Sequence, residues 1–488
     1  MLNGGSQLKR WGMVIVIIML ASLPGIAPAS AQDTPAYWPT AGWRTSTPEA
    51  QGLDSAVLAD MLTYVPNAHI DSVLVIRHGY MVLDVYAHPY RADVARNLRS
   101  VSKAFTGALV GIAIKQGLIA GVDQPVRDLL PNDNQWAGIT VEHLLTMTSG
   151  IQYVDHAWNT RIVTPPGDTF DYNDTNTYLL AAAIQETSGI DTMTFARQNL
   201  FDPLGIDRAE WLTNSAGRIA AATGLYMTPH DMAKLGYLYL HDGMWDGAQI
   251  ISADYVAASA TPHVALGGGT GYGYQWKVSD QGYFWVPGTG GQIIAVAPDQ
   301  DVVAVFTGSE STSETSWPLD LFERYILAAV RSDDRLPANP QALAALKNGI
   351  AALEHPQPVE VAALPTIAAE ITSQTYILED SDNPDWDSVA LTFEDGASEA
   401  ILTVERDGAT THIPVGLDGV DRVIEVENTV VGLRGFWFNN RFVLQLHDVT
   451  LPWRLTIQFG FHDDRLIAVW SEPVSSGRGS FAANIQRQ

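Results

Sequence analysis

The sequence predicts an α+β domain, built from an antiparallel sheet flanked by helices plus an all-helical region, and then a small all-β barrel-like domain. From Trp43 to about Arg331, strand patterns at both ends enclose a helical middle, which favours one antiparallel sheet covered by helices. From Ser332 the composition shifts to Pro, Ala and Asn, as in a linker. Beyond Ile371, short strand patterns recur at regular spacing between Asp, Gly and Asn turns, which is typical of a barrel or sandwich.

Hydrophobic periodicity and turn residues predict the individual elements. Residues 71–86, DSVLVIRHGYMVLDVY, predict a hairpin that turns at His78 and Gly79. Thr228 and Pro229 are a typical cap and first residue for one of the helices. The predicted helices of the first domain lie around residues 100–116, 176–186 and 229–240 and in WPLDLFERYILAAVR, and its further strands lie in YGYQWKV, YFWVPGTGGQIIAVAP and DVVAVFTG. The predicted strands of the second domain are VALTF, AILTVE, THIPVGL, RVIEV, FWFNNRFVLQL, RLTIQFGF and LIAVW.

Composition and charge exclude several function classes. The chain of 488 residues is 46% hydrophobic and 17% charged, which is sufficient for large buried cores and favours two or three domains. It carries 28 Lys plus Arg against 54 Asp plus Glu, a formal net charge of −26, so we expect no nucleic-acid partner. The absence of cysteine excludes disulfides, thiolate catalysis and cysteine zinc sites.

The amino terminus has the pattern of a secretory signal peptide. Lys9 and Arg10 precede the apolar run MVIVIIMLASL, and Ala29 and Ala31 are the small residues that a signal peptidase recognises. We predict cleavage after Ala31 and a secreted or periplasmic protein without stable membrane insertion; the alternative is an uncleaved amino-terminal anchor. The predicted organisation is a signal peptide at 1–31, the α+β domain at 32–335, a linker with a short helix at 336–371 and the barrel at 372–488.

Ser100 and Lys103, in LRSVSKAFTG, form an S-x-x-K pair at the start of an apolar helix. Residues three apart share a helix face, so the ammonium can reach the hydroxyl, and the free N–H groups of a first turn favour negative charge. We expect burial in this helix to lower the pKa of Lys103, so that it can accept the Ser100 proton. The alternative is a capping serine followed by a lysine that extends to solvent.

The sequence around this pair resembles the serine β-lactamase and penicillin-binding-protein superfamily. LRSVSKAFTGALVGIAIKQGLI, HLLTMTSGI and PPGDTFDYNDTNTYLLAAAI follow one another in its order and at roughly its spacing, and the resemblance covers about Trp43 to Arg331. TPHDMAKLGYLYLHDGMWDGAQIIS and GYGYQW resemble its class C branch, which includes family VIII-type esterases and 6-aminohexanoate-dimer hydrolase-like enzymes. The β-rich tail resembles the lipocalin-like domain often attached there. The resemblance implies a β-lactamase/transpeptidase-like fold.

The same resemblance implies roles for three side chains. Ser100 matches the nucleophile and Lys103 its lysine. Tyr172 matches the tyrosine of the second motif, Y-x-N, whose phenol passes a proton between the attacking hydroxyl and the leaving group. Lys103, as a nearby cation, would favour the phenolate. The alternative for Tyr172 is an ordinary buried aromatic ring.

Asp174 departs from the second motif, which usually has asparagine at this position. An ionised acid cannot donate the amide hydrogen bond that asparagine gives to a substrate carbonyl. This substitution counts against recognition of a β-lactam or a peptide amide.

The third motif, usually Lys-Thr-Gly or His-Thr-Gly, falls in FWVPGTGGQIIAVAP in one of two registers. Its final glycine is Gly288 in the first register, and in the second the motif is Gly288–Thr289–Gly290. Neither register contains Lys or His, so the cation for a substrate carboxylate is missing. The Ser100 N–H would form an oxyanion hole with the N–H of Thr289 in the first register or of Gly291 in the second.

These residues together predict an exported serine hydrolase that acts through an acyl-enzyme on a small-molecule ester or amide, in the manner of a carboxylesterase. No metal or organic cofactor is implied, and no oligomeric state is predicted. The first alternative is a D,D-peptidase or β-lactamase with the same Ser/Lys/Tyr machinery. The second is a non-catalytic sensor or binding protein with the barrel as recognition module, although the barrel could instead be a structural appendage.

Overall fold

A computed structural model describes residues 37–130, 136–152, 161–214, 217–309, 316–372, 374–379, 386–426, 429–472 and 477–485. The predicted signal peptide and its cleavage site lie outside these residues. Among the described residues, no helix combines the length and the hydrophobicity needed to span a bilayer.

The helices in this part of the chain are α1 Ser55–Leu62, α2 Ser102–Lys115, α3 Val126–Leu129, α4 Val141–Leu145, α5 Asp174–Ser188, α6 Thr192–Ala196, α7 Asp202–Leu204, α8 Pro229–Leu240, α9 Ala253–Ser259, α10 Ser316–Leu321, α11 Pro340–Glu354 and α12 Thr366–Ile371. Short 3₁₀ or π segments precede α2 (Arg99–Val101), follow α6 (Arg197–Phe201) and follow α10 (Phe322–Leu327).

The strands of the first domain are β1 Arg44–Thr45, β2 Ile70–Arg77, β3 Tyr80–Tyr86, β4 Arg96–Asn97, β5 Glu210–Trp211, β6 Leu225–Met227, β7 Met244–Trp245, β8 Ala248–Gln249, β9 Val264–Gly267, β10 Thr270–Tyr272, β11 Lys277–Ser279, β12 Phe284–Gly288, β13 Gln292–Ala297 and β14 Val302–Gly308. The strands of the second domain are β15 Thr375–Leu378, β16 Ser388–Thr392, β17 Glu399–Arg406, β18 Ala409–Gly416, β19 Arg422–Val426, β20 Thr429–Phe438, β21 Arg441–Asp448, β22 Leu455–His462, β23 Arg465–Glu472 and β24 Gly477–Ile485.

One large sheet organises the first domain, with the strand order β1-β3-β2-β14-β13-β12-β11-β10-β9. Neighbouring strands are antiparallel, as predicted, except that β1 runs parallel to β3. The hairpin predicted at residues 71–86 is confirmed: β2 and β3 pair as Arg77 with Tyr80, across the turn at His78 and Gly79. The sheet is therefore antiparallel apart from one short parallel strand, β1, at its edge.

Helices cover both faces of this sheet, because side chains alternate along each strand. Leu74 and Ile76 of β2 pack in the core that contains α2, α5 and α8. Val73 and Val75 of the same strand pack in the opposite core with α1 and α11. Because β2 is buried on both faces, the middle of the strand, residues 73–76, is a continuous apolar run. The predicted helix at 229–240 is α8, and the Thr228 hydroxyl caps it.

The second domain is a closed barrel of nine strands. Its strand order is β18-β17-β16-β15-β24-β23-β22-β21-β20. A parallel bridge between Gly416 and Arg434 joins β18 to β20 and closes the barrel. The tenth strand of the sheet, β19, pairs with β20. Six of the seven predicted runs each correspond to one strand, whereas the run FWFNNRFVLQL covers the end of β20, a turn at Asn439 and Asn440, and most of β21; β15 and β24 were not predicted. β15 is only four residues long, and β24, GRGSFAANI, contains glycines and small residues that weaken a strand pattern.

Candidate active site

Ser100 lies in the 3₁₀ segment Arg99–Val101 that leads into α2, two residues before the helix itself begins. The preceding residue, Arg99, has a φ of 51°, in the left-handed region that a side chain rarely adopts. The side chain of Asn97 supports this bend by accepting a hydrogen bond from the Arg99 N–H at 2.8 Å. The chain therefore turns sharply just before the serine and presents it at the start of a buried helix.

Lys103 is fully buried, and its ammonium has a defined partner for each of its three N–H donors. It donates to Ser100 Oγ at 3.0 Å and to the Ala222 carbonyl at 3.1 Å, and Asp174 Oδ1 lies 2.7 Å from Nζ. The alternative of a lysine that extends to solvent is therefore wrong. The S-x-x-K pair is formed as its helical spacing predicted.

The expected direction of the Lys103 pKa is wrong. Burial lowers the pKa of Lys103, as predicted, but the neighbouring Tyr172 and Asp174 raise it by more, so it lies above the ordinary value of a lysine. Lys103 is therefore an ammonium ion at neutral pH. It lies within hydrogen-bond distance of Ser100 Oγ and can stabilise a negative oxygen there, but because it is already protonated it cannot take the Ser100 proton.

Tyr172 lies over the same ammonium, with Lys103 Nζ 4.9 Å from the centre of its ring. The ring is 43% exposed, so the alternative of an ordinary buried aromatic residue is wrong. Its edge contacts Tyr272 of β10, with ring centres 6.2 Å apart. Tyr172 is therefore an exposed phenol beside the buried ammonium of Lys103.

The residue after Tyr172 explains how the second motif is held. Asn173 caps α5, accepting from the Thr175 N–H at 2.9 Å and donating to the Ile151 carbonyl at 2.9 Å. Asp174 follows as the first residue of the helix, where a negative charge is favoured. Its carboxylate accepts from Lys103, and its side chain is 24% exposed. Asp174 therefore acts in this structure as the counterion of the lysine.

The third-motif segment lies beside the serine. β12 ends at Gly288, and residues 289–291 turn into β13. A Cβ at Gly288 would lie 2.5 Å from the Leu98 carbonyl oxygen, so the end of this strand packs directly on the segment that precedes Ser100. The Gly291 N–H donates to the Gly288 carbonyl at 3.2 Å and closes the turn, with half-buried Thr289 between them.

Two contributors were missed in the sequence. The Ala222 carbonyl holds Lys103, and the neighbouring Ala221 carbonyl accepts from Thr106 Oγ1 at 3.1 Å, so this segment runs along one face of α2. A backbone acceptor leaves no sequence signal beyond the small residues that permit close approach.

Tyr272 is the second contributor that sequence reasoning missed. Burial, with Tyr172 and Asp174 nearby, raises the pKa of Tyr272 well above that of free tyrosine, so it stays a neutral phenol.

Comparison with known proteins gives a family match that covers the residues of this site. The family described as Beta-lactamase matches residues 67–326, more than half of the chain. The 6-aminohexanoate-dimer hydrolase of Paenarthrobacter ureafaciens is 27% identical over 232 residues, which are 41% of this chain and 59% of that protein. Penicillin-binding protein 4 of Amycolatopsis lactamdurans is 26% identical over 311 residues, 50% of this chain and 80% of that protein. A Bacillus anthracis structure described as a 6-aminohexanoate-dimer hydrolase has the same fold, with a TM-score of 0.53 and 19% identity, and covers 61% of this chain and 89% of that one.

Proposed function

Because this chain belongs to the beta-lactamase family, we propose that it is a serine hydrolase that acts through an acyl-enzyme on a small ester or amide. One observation carries the proposal: the buried Lys103 ammonium bonds at the same time to Ser100 Oγ and Asp174, under the Tyr172 ring. A desolvated cation within hydrogen-bond distance of a serine hydroxyl stabilises the alkoxide form of the serine, which is the stronger nucleophile.

The proposed roles follow from the charge on Lys103. Ser100 Oγ attacks the substrate carbonyl carbon, and its proton is relayed through the Tyr172 hydroxyl towards the leaving group. Collapse of the tetrahedral intermediate breaks the bond to the leaving group, which receives the proton from the Tyr172 phenol. Water then attacks the Ser100 ester, gives a proton to Tyr172, and releases the acid as that proton returns to Ser100.

The hydrogen bond of the third-motif turn supports one of its two registers for the oxyanion hole. The Gly291 N–H already donates to the Gly288 carbonyl, which leaves Thr289 as the better donor to a substrate oxyanion. We propose the N–H groups of Ser100 and Thr289 as the pair that binds it. Each such donor contributes on the order of 2.7–4 kcal/mol to transition-state stabilisation.

An ester is the favoured substrate. Asp174 is engaged by Lys103 and has no amide to donate to a peptide or lactam carbonyl, and the third motif holds neither Lys nor His. Amide hydrolysis remains the alternative that the name of the Paenarthrobacter relative supports. A β-lactamase or D,D-peptidase is a weaker alternative with the same nucleophile.

Chromogenic short-chain esters, a chromogenic anilide and a chromogenic cephalosporin test the proposal. We expect turnover of the esters by the wild type and none by S100A. Ser102→Ala is the matched control: it removes a neighbouring serine, keeps Ser100 and should still turn over the esters. A fluorophosphonate should label the wild type and S102A stoichiometrically, but not S100A. Ester turnover that persists in S100A would overturn the proposal, and absence of both turnover and labelling would favour a non-catalytic sensor.

A further inference from the structure

The loop formed by residues 449–454 joins β21 to β22 of the barrel and lies on the segment that carries the nucleophile. The Thr450 carbonyl accepts from the Asn97 N–H at 2.8 Å. The Leu451 carbonyl accepts from Arg96 Nη2 at 3.3 Å. The barrel is thus joined by hydrogen bonds to the residues just before Ser100.

A buried charge network fixes the far end of this loop. Arg454 donates through Nε to Ser309 Oγ at 2.9 Å, and its Nη2 lies 3.5 Å from Asp71 Oδ1. Arg96 Nη2 binds the other oxygen of Asp71 at 2.9 Å. Asp71 is completely buried and accepts from both arginines and from Ser309, so its charge is well compensated. The loop is therefore held at both ends in one position.

The middle of the loop contacts the candidate active site from two directions. A Cβ at Gly290 would lie 2.5 Å from the Pro452 carbonyl oxygen, so Pro452 packs closely on the third-motif turn. The Trp453 ring lies against Arg99, with its centre 5.6 Å from the guanidinium carbon. Trp453 and Arg99 form a pair next to Ser100.

Arg99 is a cation without a counterion. In the described part of the chain it takes part in no ion pair, and its Nε is buried without a hydrogen-bond acceptor. A guanidinium is the side chain best suited to a carboxylate, which it binds through two parallel hydrogen bonds. The third motif, where a carboxylate-binding lysine or histidine is usual, has neither.

We propose that Arg99, held by Trp453 of the barrel, binds a carboxylate of the substrate close to the scissile carbonyl. This inference rests on the proposed function, since it names the substrate class of the same site: esters or amides whose acyl or leaving group carries a negative charge. Arg99 and Trp453 are then specificity-determining residues, and the barrel completes the substrate site.

Two esters of similar length test the proposal: 4-nitrophenyl pentanoate, which is neutral, and mono-(4-nitrophenyl) glutarate, which carries a carboxylate. With kcat/KM divided by the rate of hydroxide-catalysed hydrolysis, we expect the wild type to prefer the glutarate ester. In R99Q this preference should fall by roughly 10- to 100-fold, mainly through KM. Arg127→Gln, at an exposed arginine on α3, should leave the preference unchanged.

Trp453 gives an independent test of the barrel's part. W453A should reduce the glutarate preference by roughly 3- to 10-fold, and W453F should restore part of it, because an aromatic face again supports the guanidinium. Phe438→Ala, which removes an exposed aromatic ring from β20, should change nothing.

The outcomes separate this inference from the proposed function. Ser100-dependent hydrolysis of both esters without a glutarate preference, or equal losses on both esters in R99Q, would overturn the role of Arg99 alone. Fluorophosphonate labelling of R99Q and W453A confirms that the variants are folded. Absence of Ser100-dependent turnover for either ester would overturn the proposed function and this inference together.

Discussion

The Lys103 ammonium lies 2.7 Å from the Asp174 carboxylate, in a site where the lysine is fully buried. The two residues are far apart in sequence and meet because α5 begins where α2 places the lysine. Tyr172 and this carboxylate together raise the pKa of Lys103 despite its burial, and for this reason the proposed mechanism assigns proton transfer to Tyr172. In the proposed mechanism, Asp174 therefore helps to determine which residue acts as the base.

D174N is expected to move the alkaline limb of the activity profile to lower pH. The pKa of Lys103 is raised above the ordinary value of a lysine. The ammonium is therefore fully charged at any pH below that ordinary value, and its charge is lost only when the pH rises through the raised pKa. Without the carboxylate, one of the two neighbours that offset the effect of burial is removed, so the ammonium should be lost at lower pH. A plot of kcat/KM against pH for an ester tests this, with a loss of about tenfold at mildly alkaline pH.

Asp168→Asn is the control for D174N, since Asp168 is exposed in the same segment. It should reproduce the wild-type profile. A D174N profile with an unmoved alkaline limb would show that the ion pair does not set the charge of Lys103.

Y172F is expected to lower kcat by about 10²- to 10⁴-fold, because the phenol that moves the proton is removed. Tyr272→Phe is the matched control. Tyr272 is a buried neighbouring phenol whose pKa burial raises well above that of free tyrosine, so it cannot accept a proton near neutral pH. Its loss should cost less than about tenfold. Steady-state kinetics with one ester suffice, and similar losses in both variants would argue against Tyr172 as the base.

The sequence predicted those features that depend on interactions between residues close together in the chain. The β2–β3 hairpin, the capped helix α8 and the Ser100–Lys103 pair each depend on residues within one or two turns of one another. The first-domain sheet was predicted because its strands have strong apolar runs. Gly288 was placed at the site by the motif, and the structure adds that a side chain there would collide with the Leu98 carbonyl.

Contacts between distant residues could not be predicted in this way. The charge of Lys103 depends on Tyr172 and Asp174, neither of which is a neighbour in sequence. The barrel loop binds β2 through Arg454 and Asp71, which are separated by 383 residues. A polar residue in a sequence does not reveal its partner at this distance, which is why the barrel could be interpreted as an appendage.

The mature protein is expected to begin at Gln32. If the segment up to Ala31 is a signal peptide, protein recovered from a periplasmic extract or culture medium should have the mass of residues 32–488. Intact-mass measurement and amino-terminal sequencing check this. Replacing Ala29 and Ala31 by bulky residues should block cleavage, whereas a full-length mass for the exported wild type would favour the uncleaved anchor.

G288A is expected to lower both activity and stability. The new methyl group would lie 2.5 Å from the Leu98 carbonyl oxygen and 3.3 Å from Val101 Cγ2, so β12 must move away from the nucleophile segment. Overpacking of this kind costs about 1–3 kcal/mol, and displacement of the proposed oxyanion donor Thr289 should reduce kcat by at least about tenfold. Gly121→Ala is the control, because a Cβ there meets no atom within 4 Å. Equal kinetics in the two variants would exclude a close fit between β12 and the serine.

D71N is expected to destabilise the first domain and to loosen the barrel loop. Asp71 is completely buried and pairs with Arg96 at 2.9 Å and with Arg454 at 3.5 Å. Removing its charge leaves Arg96 buried without a counterion, a change that costs about 3–5 kcal/mol and lowers the urea midpoint. Asp93→Asn, at an exposed partner of Arg91, should change stability by less than about 1 kcal/mol. Because Arg454 anchors the 449–454 loop, D71N should also make this loop more accessible to proteases. A variant as stable and as resistant as D93N would show that the network does not hold the barrel in place.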